Sequence, residues 1–147
     1  MKPLILILVS FAACAAMFSA PSVAPRDSVS GANKMKITIG SRTFSAILGN
    51  NETAIAFRAL LPLTLDMHDV NENEKAFDLP SRLPSADANP RTIRTGELML
   101  WNSRTVVVFY KSFSTPYSYT RLGRIDDPDG LAAALGTADV TMKFELQ

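Results

Sequence analysis

Residues 96–126, GELMLWNSRTVVVFYKSFSTPYSYTRLGRID, carry the pattern that decides the fold. This stretch contains the only tryptophan and all three tyrosines of the chain, and its longest β-branched run, Val106-Val107-Val108, continues into Phe109-Tyr110. β-Branched and aromatic residues favour the pleated backbone of a strand, and an unbroken apolar run indicates a strand packed on both faces. We therefore predict a β-sheet protein whose central strands lie here.

Strands with one buried face are predicted on either side of this centre. Successive side chains of a strand point to opposite faces, so apolar residues at every second position indicate a sheet packed on one side. Residues 75–94 form the longest irregular stretch, with three prolines and one short strand, and loops of this length are often functional. The predicted strands are residues 35–40, 43–48, 63–70, 76–79, 96–101, 105–113, 119–125 and 138–146.

Two short helices are predicted from their capping residues. Asn50-Asn51 precede the first helix, over residues 54–61, and an asparagine side chain here can accept a bond from an unpaired N–H of the first turn. Asp127 is predicted to cap the second helix, over residues 131–135. The tally indicates a mostly β, partly closed sheet whose open ends are covered by helices, which protects sheet edges.

Residues 1–20 have the pattern of a signal peptide. Lys2 stands before a short apolar core, and small residues follow it. The apolar run is shorter than the roughly 18–20 residues that a spanning helix needs. Cys14, the only cysteine, follows small residues as in a bacterial lipobox, so lipidation of Cys14 and ordinary signal cleavage both stay open. An exported protein is expected: periplasmic, extracellular or anchored as a lipoprotein.

The remaining chain divides into a spacer and one domain. Residues 21–33 are rich in Pro, Ser, Gly and Ala and predict a flexible linker, and residues 34–147 predict the folded domain. Fifteen basic and fourteen acidic residues nearly balance, which argues against a nucleic-acid partner. A membrane partner is expected only through a lipid anchor on Cys14, and a monomer is expected.

Metal binding and cofactor binding are not predicted for the domain. His68 is the only histidine, and Asp66 shares its face of the predicted strand, which supplies two ligands where a metal site needs three or four. The acidic loop at residues 69–74 lacks the glycine that a calcium loop has at its sixth position. Exposed carboxylates in a polar loop explain these residues without a metal.

Several segments, in chain order, resemble the bacterial cyclophilin-like domain family. The resemblance covers about residues 34–147, and it implies a closed β-barrel of about eight strands capped by two short α-helices. The segments that carry it are TAIAFRALLP (residues 53–62), GELMLW (96–101), VFY (108–110), PYSYTRLGRI (116–125) and the Asp127-Pro128 helix start.

The chain lacks the catalytic sequence pattern of the true cyclophilins, although it resembles their fold family. Those enzymes isomerise X-Pro bonds with an arginine and a phenylalanine in a Phe-His-Arg segment and with a nearby Gln-x-Gly-Asp. This chain has no Phe-His-Arg, and its only glutamine is Gln147. We therefore expect a non-catalytic module of the cell envelope that binds a peptide, protein or small ligand. A weak peptidyl-prolyl isomerase is the alternative.

A candidate binding surface is predicted from aromatic residues that stand in a polar segment. Residues 111–120, KSFSTPYSYT, carry three rings outside any clear strand pattern, and tyrosine and tryptophan serve interfaces because they combine apolar area with a polar tip. The other interpretation is that the rings close the ends of the barrel. The candidate binding residues are Glu74, Trp101, Tyr110, Phe113, Tyr117, Tyr119 and Arg121.

Overall fold

The computed structural model describes residues 31–147, and the chain forms ten strands and two helices from Lys34 onward. The predicted signal peptide, Cys14 and most of the linker lie outside the described residues. In chain order the elements are β1 (Lys34–Ile39), β2 (Arg42–Leu48), α1 (Glu52–Ala59), β3 (Leu63–Val70), β4 (Glu74–Asp78), β5 (Thr92–Ile93), β6 (Glu97–Trp101), β7 (Thr105–Phe109), β8 (Phe113–Ser114), β9 (Thr120–Ile125), α2 (Leu131–Leu135) and β10 (Val140–Leu146).

Eight of these strands close into an antiparallel barrel. The order around it is β1-β10-β3-β4-β7-β6-β9-β2, and β2 pairs with β1 to complete the circle. The remaining strands, β5 and β8, form a separate two-stranded sheet. The predicted fold class, a closed barrel of about eight strands with two short helices, is confirmed.

Alternation along the strands fills the inside of the barrel. Met35, Ile37 and Ile39 of β1 are buried in one apolar core, as their spacing predicts. Helix α1 adds Phe57, whose ring lies 6.1 Å from that of Phe144 on β10 in an edge-to-face arrangement. Helix α2 adds Leu131 and Leu135 to the same core. Barrel and helices therefore share one interior, to which the first and last strands, β1 and β10, both contribute.

β9 approaches β2 more closely than side chains allow. A Cβ atom at Gly123 would lie 2.3 Å from the carbonyl oxygen of Ile47. Gly123 pairs with Leu48 across the two strands, so only a residue without a side chain fits at this contact. This contact helps to close the barrel between β9 and β2.

One of the two helix-cap predictions is confirmed and the other is wrong. The Asn51 side chain accepts a hydrogen bond from the Ala54 N–H at 2.7 Å and caps α1. Helix α2 instead begins after Gly130, which has φ +79°. The Asp127 side chain accepts from the Asp129 N–H at 3.0 Å, a local turn that an aspartate forms with the backbone two residues on. The acid therefore shapes the turn that precedes the helix.

The central strand β7 is packed on both faces, as its unbroken apolar run predicts. Val106 and Val108 point into the barrel core, whereas Val107 and Phe109 join a second apolar cluster. The predicted strand over residues 105–113 is divided, because β7 ends at Phe109 and the chain resumes as β8, paired with β5. After Tyr110, which stays in the core, this division lets the chain return along the outside of the barrel, where Phe113 and Tyr119 pack on the second cluster.

Among the helices described, none combines the length and the apolar character needed to cross a bilayer.

Candidate ligand-binding groove on the outside of the barrel

A second apolar cluster lies on the outer surface of β6 and β7, and we call it the outer cluster. It forms because the segments that precede β6 and follow β7 cover side chains that would otherwise face water. The Phe109 ring lies 5.6 Å from that of Tyr119, nearly perpendicular to it, and 5.8 Å from that of Phe113. The buried members of the outer cluster are Ile93, Met99, Val107, Phe109 and Tyr119.

Backbone hydrogen bonds hold the covering segments in place. Ala88 and Tyr119 exchange two of them, at 2.9 and 3.0 Å. The Thr120 hydroxyl donates to the Asp87 carboxylate at 2.7 Å and accepts from the Ala86 N–H at 3.0 Å. The irregular segment around residues 86–88 is thus tied to the start of β9, and Tyr119 is fixed at the edge of the outer cluster.

An open groove of about 340 Å³, which we call the aromatic groove, borders the outer cluster. Its floor is the outer face of β4 and β7, where Ala76 pairs with Val107 and Asp78 pairs with Thr105. Trp101 stands at the end of β6, paired with Thr105 from the other side. The lining residues are Val70, Asn71, Glu74, Ala76, Asp78, Trp101, Thr105, Val107, Tyr117 and Tyr119.

Two tight hairpins place the polar and aromatic residues at the mouth of this groove. Residues 71–73 join β3 to β4, with φ +53° at Asn71 and at Glu72, and residues 102–104 join β6 to β7, with φ +50° at Asn102 and +61° at Ser103. Two successive residues with positive φ form a turn that follows the strand twist, and asparagine tolerates this conformation well. The second turn leaves the Trp101 side chain on the outer face.

The rings that line the aromatic groove differ sharply in exposure. Tyr119 is only 6% exposed, because it belongs to the outer cluster, whereas Trp101 is 45% exposed and Tyr117 is 61% exposed. Rings of this size usually bury most of their apolar area in a core or an interface. Trp101 and Tyr117 are therefore available to a ligand, while Tyr119 is part of the fold.

Glu74 is the partly buried carboxylate of the aromatic groove. Burial raises its pKa to about 7, and the nearby negative charge of Asp69 adds to the shift. Within residues 31–147, no donor lies within hydrogen-bond distance of its carboxylate, and no lysine or arginine lines the groove. By contrast, Asp78 accepts a hydrogen bond from the Thr105 hydroxyl at 2.6 Å. Glu74 thus presents a half-buried acceptor to a ligand in the groove.

A second groove of about 600 Å³ lies on the other side of Tyr119. It runs between the start of α1 and the segment near residues 85–90, and Asn51, Glu52 and Arg121 border it. The Arg121 guanidinium forms an ion pair with Glu97 at 2.8 Å, so its charge is already compensated. The second groove therefore offers neutral polar groups and the Glu52 carboxylate, and its lining arginine is already paired.

The family model described as "Cyclophilin-like family" matches residues 37–146, most of the chain. The chain belongs to the cyclophilin-like family. A hypothetical protein of Archaeoglobus fulgidus, known from a solution structure, has a similar fold, with a TM-score of 0.53 and 15% sequence identity. The similarity covers 80% of this chain and 97% of the archaeal one, and at this identity it concerns the fold alone. None of the curated proteins matches the sequence.

The candidate binding residues of this cyclophilin-like domain fall into four places. Glu74, Trp101, Tyr117 and Tyr119 line the aromatic groove together. Phe113 packs on the outer cluster, and Arg121 borders the second groove. Tyr110 lies inside the barrel, where it joins the main core. The sequence analysis did not single out Asp78 or Thr105, although strand alternation in residues 74–78 already puts Glu74 and Asp78 on one face.

Tyr110 belongs to a buried polar set inside the barrel. Its hydroxyl donates to the Asp69 carboxylate at 2.6 Å, and the fully buried Lys75 ammonium donates to the same oxygen at 2.7 Å and to the Ala138 carbonyl at 2.6 Å. The hydrogen bond from Lys75 lowers the pKa of Asp69, and that from Tyr110 lowers it further. Burial raises the pKa of Tyr110, and so does its bond to Asp69. Here the polar groups satisfy one another.

The two residues weighed as metal ligands sit on the barrel surface with protein partners. Asp66 accepts a hydrogen bond from the Thr141 hydroxyl at 2.7 Å, and the His68 ring lies 3.5 Å from the Asp139 carboxylate. Within the part of the chain that the structure describes, no three residues of metal-ligating type are grouped to hold an ion.

Proposed function

We propose that this protein is an exported, non-catalytic module of the cell envelope that binds a peptide or small ligand in the aromatic groove. The observation that carries the proposal is the pair of exposed rings, Trp101 and Tyr117, beside a carboxylate without a partner. Ligand sites in proteins are concave, largely apolar, and carry a few polar groups that fix orientation. The aromatic groove has this composition.

Absence of catalysis is proposed from the charges of the groove. Rotation about an X-Pro bond meets a barrier of roughly 18–20 kcal/mol, and cyclophilins lower it with an arginine beside an apolar slot. The residues that line the aromatic groove include no arginine. Arg121 borders the second groove and is paired with Glu97. These placements support binding without isomerisation.

The binding proposal is tested on the folded domain with two measurements. Fluorescence of Trp101, the only tryptophan, reports on this groove directly, so a screen of peptides and small ligands should yield compounds that change its emission. The control is Glu52→Gln, a change in the second groove, and it should leave the fluorescence response unchanged. Asn51→Ala would be a poorer control because it removes the cap of α1. Calorimetry on Trp101→Phe gives the affinity of the same ligands without the fluorescent ring. If every ligand bound this variant as tightly as the natural chain, binding in the aromatic groove would be contradicted.

The isomerase alternative has its own assay. A protease-coupled assay on an Ala-Pro peptide should give a rate equal to that of buffer, even at high protein concentration. A rate above buffer that Trp101→Ala abolishes would overturn the non-catalytic proposal and restore isomerase activity.

Export is proposed from the signal pattern of residues 1–20 and from Cys14. The full chain, made in a bacterial host, should reach the envelope with a lower mass than its complete sequence, or with the added mass of a lipid on Cys14. Cys14→Ser separates the two routes, because it removes lipidation and leaves ordinary cleavage intact. An uncleaved chain recovered from the cytoplasm would contradict export.

A further inference from the structure

We infer that the aromatic groove selects a small organic cation, a ligand of low molecular weight that carries an ammonium group. The inference rests on the proposed function and names its ligand class. It is drawn from three features that meet at one place: exposed rings, carboxylates on the floor, and the lack of a positive side chain among the lining residues.

The rings supply the first feature. Trp101, Tyr117 and Tyr119 all border the aromatic groove. The face of an aromatic ring is electronegative, and tryptophan and tyrosine attract cations most strongly. An apolar ligand would use the same rings, so they alone do not fix the sign of its charge.

The carboxylates decide the sign. Glu74 and Asp78 lie on the same face of β4, and both line the groove. Lys75, between them in sequence, points into the barrel, where Asp69 and the Ala138 carbonyl hold its ammonium. The positive charge nearest in sequence is therefore directed away, and an anionic ligand would meet two carboxylates of its own sign.

Glu74 provides the clearest complementarity. Glu74 is half-buried, and a partly desolvated carboxylate is stabilised when a cation or a donor pairs with it. Among the described residues, none supplies that partner. A bound ammonium group would do so, and it would stand beside rings that stabilise the same charge.

The size of the groove favours a small ligand over a chain segment. Its volume of about 340 Å³ lies at the lower end of the range for small-molecule sites, about 300–1,000 Å³. The isolated bridge between Tyr119 and Ala88 also occupies the backbone N–H and carbonyl of Tyr119, so an added peptide strand has no free partner there. We therefore assign the site to a free organic ammonium compound.

The test compares matched ligands on the full domain. Choline and n-butylammonium are titrated against their neutral isosteres, in which carbon or a hydroxyl replaces the charged nitrogen, with Trp101 emission and calorimetry as readouts. Each cation should bind about tenfold more tightly than its isostere. Equal affinity would overturn the cation selectivity and leave the binding proposal standing. Binding of no cation at all would overturn the inference as well.

Variants locate the selectivity. Glu74→Gln keeps the shape of the side chain and removes its charge, so the preference for choline should fall to about threefold or less. Glu52→Gln, the same change beside the second groove, should keep the preference of the natural chain. If Glu74→Gln bound choline as the natural chain does, Asp78→Asn would be measured next. An unchanged preference in both variants would overturn the inference.

Discussion

Glu74 and Lys75 are neighbours on β4 and carry opposite charges, but their side chains lie on opposite faces of the barrel wall. Lys75 points into the barrel, fully buried, and its ammonium has two partners at 2.6 and 2.7 Å. Glu74 points outward into the aromatic groove, and its pKa is raised to about 7 because burial is not offset by a donor. Strand alternation thus places a paired charge, Lys75, inside the barrel and an unpaired charge, Glu74, on its outer face.

Under the proposed function, this difference separates polar groups that stabilise the fold from a polar group that would contact a ligand. Inside, Asp69 accepts from both Lys75 and Tyr110, so each group is stabilised by the fold itself. Outside, burial and the charge of Asp69 raise the pKa of Glu74, so its ionised form is less favourable in the folded protein than in the unfolded chain. Groups that a fold holds at a cost are typical of binding sites, where a ligand supplies the compensation.

The largest expected effect is a loss of stability when the buried charge of Lys75 is removed. Lys75→Met removes the ammonium and leaves Asp69 as a nearly buried carboxylate, so the free energy of unfolding should fall by about 3–5 kcal/mol. Because Asp69 keeps the Tyr110 hydroxyl, the lower end of that range is expected. Chemical denaturation measures the change.

The matched control for that variant is on the barrel surface. Lys143 is 49% exposed on β10 and pairs with Glu145, so Lys143→Met should change stability by less than about 1 kcal/mol. If both lysine variants lost the same free energy of unfolding, the buried polar set around Lys75 would contribute no more to stability than a surface ion pair.

The second prediction concerns the charge of Glu74, and its expected size depends on pH. The pKa of Glu74 is raised from 4.5 to about 7 in the folded protein, so between these values the folded chain holds a proton that the unfolded chain releases. Stability from this group therefore falls as pH rises through that window, and the full penalty stands above pH 7. Glu74→Gln should stabilise the domain by about 1–2 kcal/mol at pH 8, after allowance for solvent.

At pH 4 the same variant should be nearly neutral, because the glutamate is then protonated in both states. The other titratable groups that face Glu74 are Asp78, Tyr117 and Tyr119 in the groove, and Asp69 through the barrel wall. Denaturation curves at both values, with Glu52→Gln as the control, provide the measurement. A gain that is the same at pH 4 and pH 8 would contradict the raised pKa.

Much of the barrel could be predicted from the sequence because its strands obey simple alternation. Residues 35–39 and 140–144 alternate cleanly, and the run Val106-Val107-Val108 correctly indicates a strand with two packed faces. The helix start after Gly130 could not be predicted as readily. Asp127 fits a cap and a local turn equally well, and only the tertiary structure decides between them.

The aromatic groove could be predicted only in part, since its residues come from distant segments. The sequence placed Tyr110 and Tyr119 among the same candidates, yet one lies inside the barrel and one outside. Tyr110 continues the alternation of Val106 and Val108, so its inward ring follows from the strand pattern. Tyr119 instead joins the outer cluster while its backbone pairs with Ala88, and such a contact between distant segments is not reported by periodicity within one segment.

The smallest expected effect on stability separates ligand contact from folding within the aromatic set. Tyr117 is 61% exposed, so Tyr117→Ala should change the free energy of unfolding by no more than about 0.5 kcal/mol. Phe113, packed 5.8 Å from Phe109 in the outer cluster, is the matched ring, and Phe113→Ala should cost clearly more. Choline affinity should show the reverse order and drop about threefold in Tyr117→Ala, because that ring borders the groove and Phe113 does not. If Tyr117→Ala instead unfolded the domain and Phe113→Ala did not, Tyr117 would be a structural plug, and the groove would lose one of its two exposed rings.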